Sequence, residues 1–205
     1  MVRMIKYIFG GYFFMKRFKL QTIIEIAIFA ALAMLLDFLP SIQFGPSISI
    51  SFAMVPIFII AFRWGFIAST IAGFIWGILQ IALGEAWILT PMQTFIEYFI
   101  AFACIGFAGF FSHIIQTNLK GNERGKALIW IVIAVYIGSL TRYFWHFVAG
   151  VIFFKKYAIE AGKAPVIYSL TTNGITYFFA ALACSFVLVL IISRAPILVT
   201  ATNRQ

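Results

Sequence analysis

Hydrophobic positions along the chain fall into long runs broken by short polar stretches, and the breaks predict six helices. The first covers about 22–39 and stops at Pro40. The second is short, about 50–62, and is separated from the third, about 66–83, only by the tight turn Arg63-Trp64-Gly65. The fourth, about 88–115, follows a polar entry and a proline. The fifth covers about 127–153 and the sixth about 166–192. The most hydrophilic stretch, QTNLKGNERGK at 116–126, is expected as an aqueous loop, and 154–165 as a second. The uncharged, serine-rich SIQFGPSISIS at 41–51 is too short to span and too apolar for a solvated linker. It is expected to fold back over the mouth of the protein.

Composition turns these helices into membrane helices. Of 205 residues, 63% are hydrophobic and 10% charged, against about 25% charged in an average soluble domain. A soluble chain of this size could not hide so much apolar surface, so the bilayer is the expected solvent. The fold class is therefore an all-α integral membrane protein of the cell membrane with six transmembrane helices. The formal charge of +9 then reads as loop bias rather than nucleic-acid binding. Of 15 Lys and Arg, 11 fall in the N-terminal arm, the turn at Arg63, the 116–126 loop and the tail, which predicts an N-in, C-in topology. Residues 1–19 form a basic, aromatic, interfacial arm, 20–193 the six-helix domain, and 194–205 a cytoplasmic tail. Cys104 and Cys184 lie in apolar runs with no CxxC or HxxxH spacing, so neither a metal nor a disulfide framework is expected.

The chemistry concentrates in GEAWILTPMQTFIEY at 84–98, where Glu97 enters an otherwise apolar helix. A carboxylate there is costly and marks a ligand or ion site. At about 1.5 Å rise per residue, Glu97 lies about 13 Å below the outer end of its helix, and His146 and Asn173 about 10 Å below theirs. Arg142, at about 16 Å on the same rise, shares the layer. Trp87, Tyr98, Trp145, Phe154 and Tyr168 ring it, and His146, Gly150 and Phe154 follow at i, i+4 and i+8 on one helix face. A buried carboxylate among aromatic faces suits a flat, polar-edged cation. Glu97 could instead be held by Arg142 as a structural ion pair, the lesser of the two readings, and Arg142 could bond carbonyls or Glu25. Ala27, Ala30 and Ala31 give the first helix a small-residue face, and Gly73 and Gly77 do the same for the third.

At ILTPMQTFIEY, TRYFWHFVAGVIFF and IYSLTTNG the sequence resembles the thiamine-specific S components (ThiT/YuaJ family) of energy-coupling-factor (ECF) transporters. The resemblance extends over about 20–193. It implies a thiamine-binding subunit of an ATP-driven vitamin importer, not an enzyme. Its partners would be a transmembrane coupling subunit and two ATPase subunits, which alone use ATP, and it would need no cofactor. It also implies Glu97 toward the aminopyrimidine with Tyr98 beside it, and His146, Gly150 and Phe154 near the thiazolium. Trp87, Tyr168 and Asn173 complete the ligand set, and Ala27 and Ala31 would meet the coupling subunit. Two positions depart from the family pattern, Trp87 for Tyr and Phe154 for Trp, and both remain aromatic. The family's lid tryptophan has no counterpart in 41–51, where Phe38 or Phe44 would substitute.

Two other classes fit less well. A stand-alone proton-coupled carrier would use Glu97 and His146 as its relay, but no internal repeat is visible. An intramembrane protease would need a nucleophile beside a base, yet no GxSG occurs and the histidines are His113 and His146 only. The absence of GxxxxGK[ST] excludes an ATPase site within this chain.

Overall fold

A computed structural model of the chain describes residues 18–39, 42–44 and 48–200. Most of the expected arm and the end of the tail lie outside the described residues. The elements are α1 (Leu20–Asp37), β1 (Ile42–Phe44), β2 (Ile48–Ile50), α2 (Met54–Trp64), α3 (Phe66–Ala82), α4 (Pro91–Lys120), α5 (Arg124–Phe153), α6 (Lys155–Glu160) and α7 (Pro165–Arg194). Among the described residues the architecture is helical apart from one antiparallel strand pair.

Every predicted apolar run is a helix, with three differences in the connections. The 116–126 stretch is not a loop: α4 continues to Lys120 and α5 starts at Arg124. A helix satisfies its own backbone in water as in lipid, so these rods outlast the apolar slab. Thirty residues rise about 45 Å, against a hydrocarbon core of about 30 Å. The 41–51 stretch contains an antiparallel hairpin in the register Ile42↔Ile50, Gln43↔Ser49, Phe44↔Ile48, with β2 packed on α7. Cross-strand pairing satisfies peptide groups that the surrounding apolar helices cannot. The connection at 154–165 contains α6.

Among the described residues four helices are long and apolar enough to cross a membrane: α1, α4, α5 and α7. The eleven residues of α2 rise about 16 Å, too little to cross alone. Outward-facing positions on the long helices are large and apolar, among them Ile23, Ile28, Leu35, Phe144, Leu170 and Phe186. A surface of this kind belongs in lipid.

Polar contacts sort the helix ends. At one end the Arg63 guanidinium donates to Glu25 at 2.6 Å and to the carbonyls of Ile197 and Thr200, and the Trp64 indole donates to the same carboxylate. Gln116 donates to the carbonyls of Phe62 and Arg63. This gathers the start of α1, the α2–α3 turn and the ends of α4 and α7. The turn can be this tight because Gly65 takes φ +84°, which side-chain-bearing residues rarely adopt. Glu25 is therefore bound to Arg63, not to Arg142.

The small-residue faces have different uses. A Cβ on Gly73 would lie 2.2 Å from the Phe102 carbonyl oxygen and one on Gly77 1.7 Å from that of Tyr98, so α3 and α4 touch backbone to backbone. On α1, Ala30 is fully buried, whereas Ala27 and Ala31 are exposed.

Candidate functional site

The site is built where α4 begins. Thr90 caps that helix by accepting from the Gln93 N–H at 3.1 Å, and Pro91 occupies its first turn. One turn later the helix widens to π geometry over Phe95–Ile100, the bulge that often accompanies functional sites. Gln93 and Glu97 lie i, i+4 on its inner side. The fully buried Gln93 amide donates to the Trp87 carbonyl at 2.9 Å and to Glu97 Oε2, while its oxygen accepts from the Leu89 N–H at 3.0 Å. One side chain thus fixes both the segment before the helix and the carboxylate inside it.

Across from Glu97, His146 on α5 brings Nδ1 to 3.2 Å from Oε1. Its Nε2 accepts from Arg142 Nε at 3.4 Å. That pattern leaves the ring hydrogen on Nδ1, pointing at the carboxylate. Arg142 is stacked over Phe102 at 4.2 Å and Trp76 at 4.8 Å and makes no ion pair with Glu97.

Gly150, one turn beyond His146, faces α7. Ser169 of α7 donates to the Phe147 carbonyl at 2.8 Å, and the Asn173 amide donates to the Ser169 hydroxyl and carbonyl oxygens. At the lip Trp87, Phe154 and Tyr157 meet edge to face or tilted, with centroids 5.9–6.3 Å apart.

Between these walls is a cavity of about 620 Å³, within the range of small-molecule sites. Trp87, Glu97, His146, Gly150, Phe154, Tyr168 and Asn173 line it, joined by Tyr157, Glu160, Ser169 and Thr172. Among the described residues Glu97 and Glu160 are its carboxylates, and no lysine or arginine lines it. The expected residues from three helices therefore meet in one place, with exceptions. Tyr98 does not line the cavity: its hydroxyl accepts from the Trp87 N–H at 2.7 Å, which positions the lip from behind. Trp145 is turned against Phe144 instead. Of the two candidate lid aromatics, Phe38 is half-exposed at the end of α1, and the Phe44 side chain lies outside the described residues.

Comparison with known proteins decides the family. The family model for thiamine transporter proteins (Thia_YuaJ) matches residues 23–200. The chain belongs to the thiamine transporter family. It is 39% identical to the thiamine transporter ThiT of Bacillus subtilis over 183 residues, covering 87% of this chain and 93% of that protein. It is 35% identical to the ThiT of Lacticaseibacillus paracasei over 188 residues, covering 90% and 93%. The solved structure of ThiT from Listeria monocytogenes superposes with a TM-score of 0.85 at 40% identity, covering 89% of this chain and 98% of that one. With its apolar, lipid-facing helices, this thiamine transporter family member is a multi-pass membrane protein.

Sequence reasoning missed Tyr157 and Glu160 as parts of the wall, and Gln93 as the buried side chain that holds Glu97 from behind it. Gln93 sits four residues before Glu97, a spacing that places two polar side chains on one helix face. Tyr157 and Glu160, three apart in KKYAIE, carry the same kind of signal on α6.

Proposed function

We propose that this chain is the high-affinity thiamine-binding membrane subunit of an ATP-driven ECF importer. It would capture thiamine from outside and release it inside when joined to a transmembrane coupling subunit and two ATPase subunits. The observation that carries this reading is the cavity itself, with the Glu97–His146 pair on its floor, three aromatic rings at its lip and no lysine or arginine in its lining. The carboxylate suits the amine and ring nitrogen of an aminopyrimidine. The rings suit a thiazolium cation, an attraction worth about 2 kcal/mol or more once desolvated. In this reading α2 and the hairpin before it share one crossing, which gives six crossings in all. The basic end that holds Lys19, Arg63, Lys120 and Arg124 faces the cytoplasm. The exposed Ala27–Ala31 face of α1 meets the coupling subunit.

Titration of the purified protein followed by tryptophan fluorescence tests this function. Thiamine is expected to quench the signal saturably through Trp87, and Trp87→Phe to remove most of the quench. With Glu97 and Glu160 in the wall, thiamine diphosphate is expected to bind at least tenfold more weakly than thiamine. Absence of saturable thiamine binding overturns the proposal.

Gly150 gives a steric test. A Cβ there would lie 2.2 Å from Ser169 Oγ and 3.4 Å from Asn173 Nδ2. Gly150→Ala is expected to push α5 from α7 at a cost of about 1–3 kcal/mol. Thiamine affinity should fall at least tenfold and the melting temperature should drop, both measurable on the detergent-purified protein.

A further inference from the structure

Arg142 poses a problem that the binding site alone does not solve. Its guanidinium is permanently charged and partly buried, and it sits two hydrogen bonds, through His146, from Glu97. Direct pairing with Glu97 would satisfy both charges and would also cancel the carboxylate that a cationic ligand needs. The structure does not take that option. Arg142 instead turns toward α3 and α4, against Trp76 and Phe102.

What lies beyond Trp76 supplies the reason. The edge of the same indole points at Asp37, the last residue of α1: Trp76 Nε1 donates to Oδ2 at 3.0 Å. Gln80 Nε2 donates to the same oxygen, and the Ser51 hydroxyl donates to Oδ1 at 3.0 Å. Each of these partners is a donor, the environment of an ionised carboxylate. None of them carries charge, and Asp37 takes part in no ion pair among the described residues. Arg142 lies 4.8 Å from the centre of the indole ring, Asp37 accepts from its edge at 3.0 Å, and the opposite charges attract across it. A partly buried anion and a partly buried cation, neither in an ion pair among the described residues, thus compensate through Trp76.

We propose that Asp37 is the counter-charge that holds Arg142 away from Glu97, so that Glu97 stays free for a cationic ligand. Asp37 is a positioning residue: it acts through Arg142 and does not line the cavity. Because Ser51, which follows β2, donates to the same carboxylate, the connection between α1 and α2 is tied to this balance. The inference rests on the proposed thiamine site for its binding consequence, but the charge pairing is independent of any ligand.

A four-protein cycle tests it: wild type, Asp37→Asn, Arg142→Met and the double variant. Melting temperature is measured without ligand, and affinity by thiamine titration. Asp37→Asn is expected to weaken thiamine binding at least tenfold, because the released guanidinium competes for Glu97. The double variant is expected to bind at least fivefold tighter than Asp37→Asn alone and to melt higher than either single variant. A merely structural Asp37 would give losses that add rather than cancel. Trp76→Phe, which keeps a ring over the guanidinium but removes the indole N–H, supplies a milder version should Asp37→Asn not fold. It is expected to weaken binding about threefold, with Arg142→Met relieving the loss. The proposal is overturned if removing Asp37, or the N–H that holds it, leaves affinity unchanged, or if Arg142→Met brings no relief. Failure of the wild type to bind thiamine would instead overturn the proposed function, and the ligand-free melting cycle would still decide the pairing.

Discussion

Replacing Glu97 by glutamine is expected to weaken thiamine binding at least tenfold, about 1.4 kcal/mol, with little change in fold. Gln is nearly isosteric and remains polar, so the packing against Gln93 survives. What disappears is the negative charge of the floor. Two donors now converge on that carboxylate, the Gln93 amide and His146 Nδ1. An amide in its place must turn its own NH₂ toward one of them, which disturbs the hydrogen bonds as well as the charge. A cation in the emptied pocket would then face Glu160 at the mouth as its nearest acid, and Glu160 is largely exposed and only 3.8 Å from Lys156. Calorimetric titration checks the result, and unchanged affinity would remove Glu97 from the role assigned to it.

Tryptophan at Ala31 is expected to abolish energised uptake and to leave thiamine affinity within about threefold of the wild type, by the same affinity scale. Ala31 and Ala27 are exposed on α1 among the described residues, so a large ring there is expected to meet what docks from outside. Small residues four apart allow close helix approach, and an indole on that face holds the partner off. Ala30→Trp is the control: Ala30 is fully buried, so overpacking should lower stability and binding together. Uptake in cells that co-express the energising subunits, paired with titration of the purified variants, separates the two outcomes. Uptake that persists in Ala31→Trp would show that this face of α1 contacts lipid only.

Much of this was legible in the sequence because membrane helices announce themselves by apolar length. The depth argument brings Glu97, His146 and Asn173 to one cavity because each lies only about two to three turns from its helix end, so the π turn at Glu97 shifts the count by less than a turn. Other features were hidden for identifiable reasons. The π turn at Phe95–Ile100 leaves the apolar pattern of FIEYFI unchanged, so nothing in composition reveals it. Tyr98 was grouped with Glu97, although consecutive helical residues point about 100° apart and only one of them could face the cavity. Polar stretches read as loops because hydropathy measures affinity for lipid, not helicity. Hence the end of α4, the start of α5, and α6 with Tyr157 and Glu160 lie in stretches whose composition alone predicts solvent connections. Asp37 drew no notice at all: as the last residue of a helix it looks like an interfacial acid, and only the tertiary fold brings Trp76 and Gln80 to it.

The cluster around Arg63 bears on how the chain reaches this fold. Glu25 comes early in synthesis and is 38 residues from Arg63, but the Ile197 and Thr200 carbonyls that Arg63 also needs are 134 and 137 residues further on. A guanidinium has five N–H donors to satisfy, and until α7 has been made several of them have only water or lipid headgroups. The early helices can therefore insert and pair, but the seam at the Arg63 end closes only when residues 196–200 return to it. Completion of this bundle is a late event set by the order of translation, and a ribosome stalled before Pro196 would hold an assembled but unfastened protein.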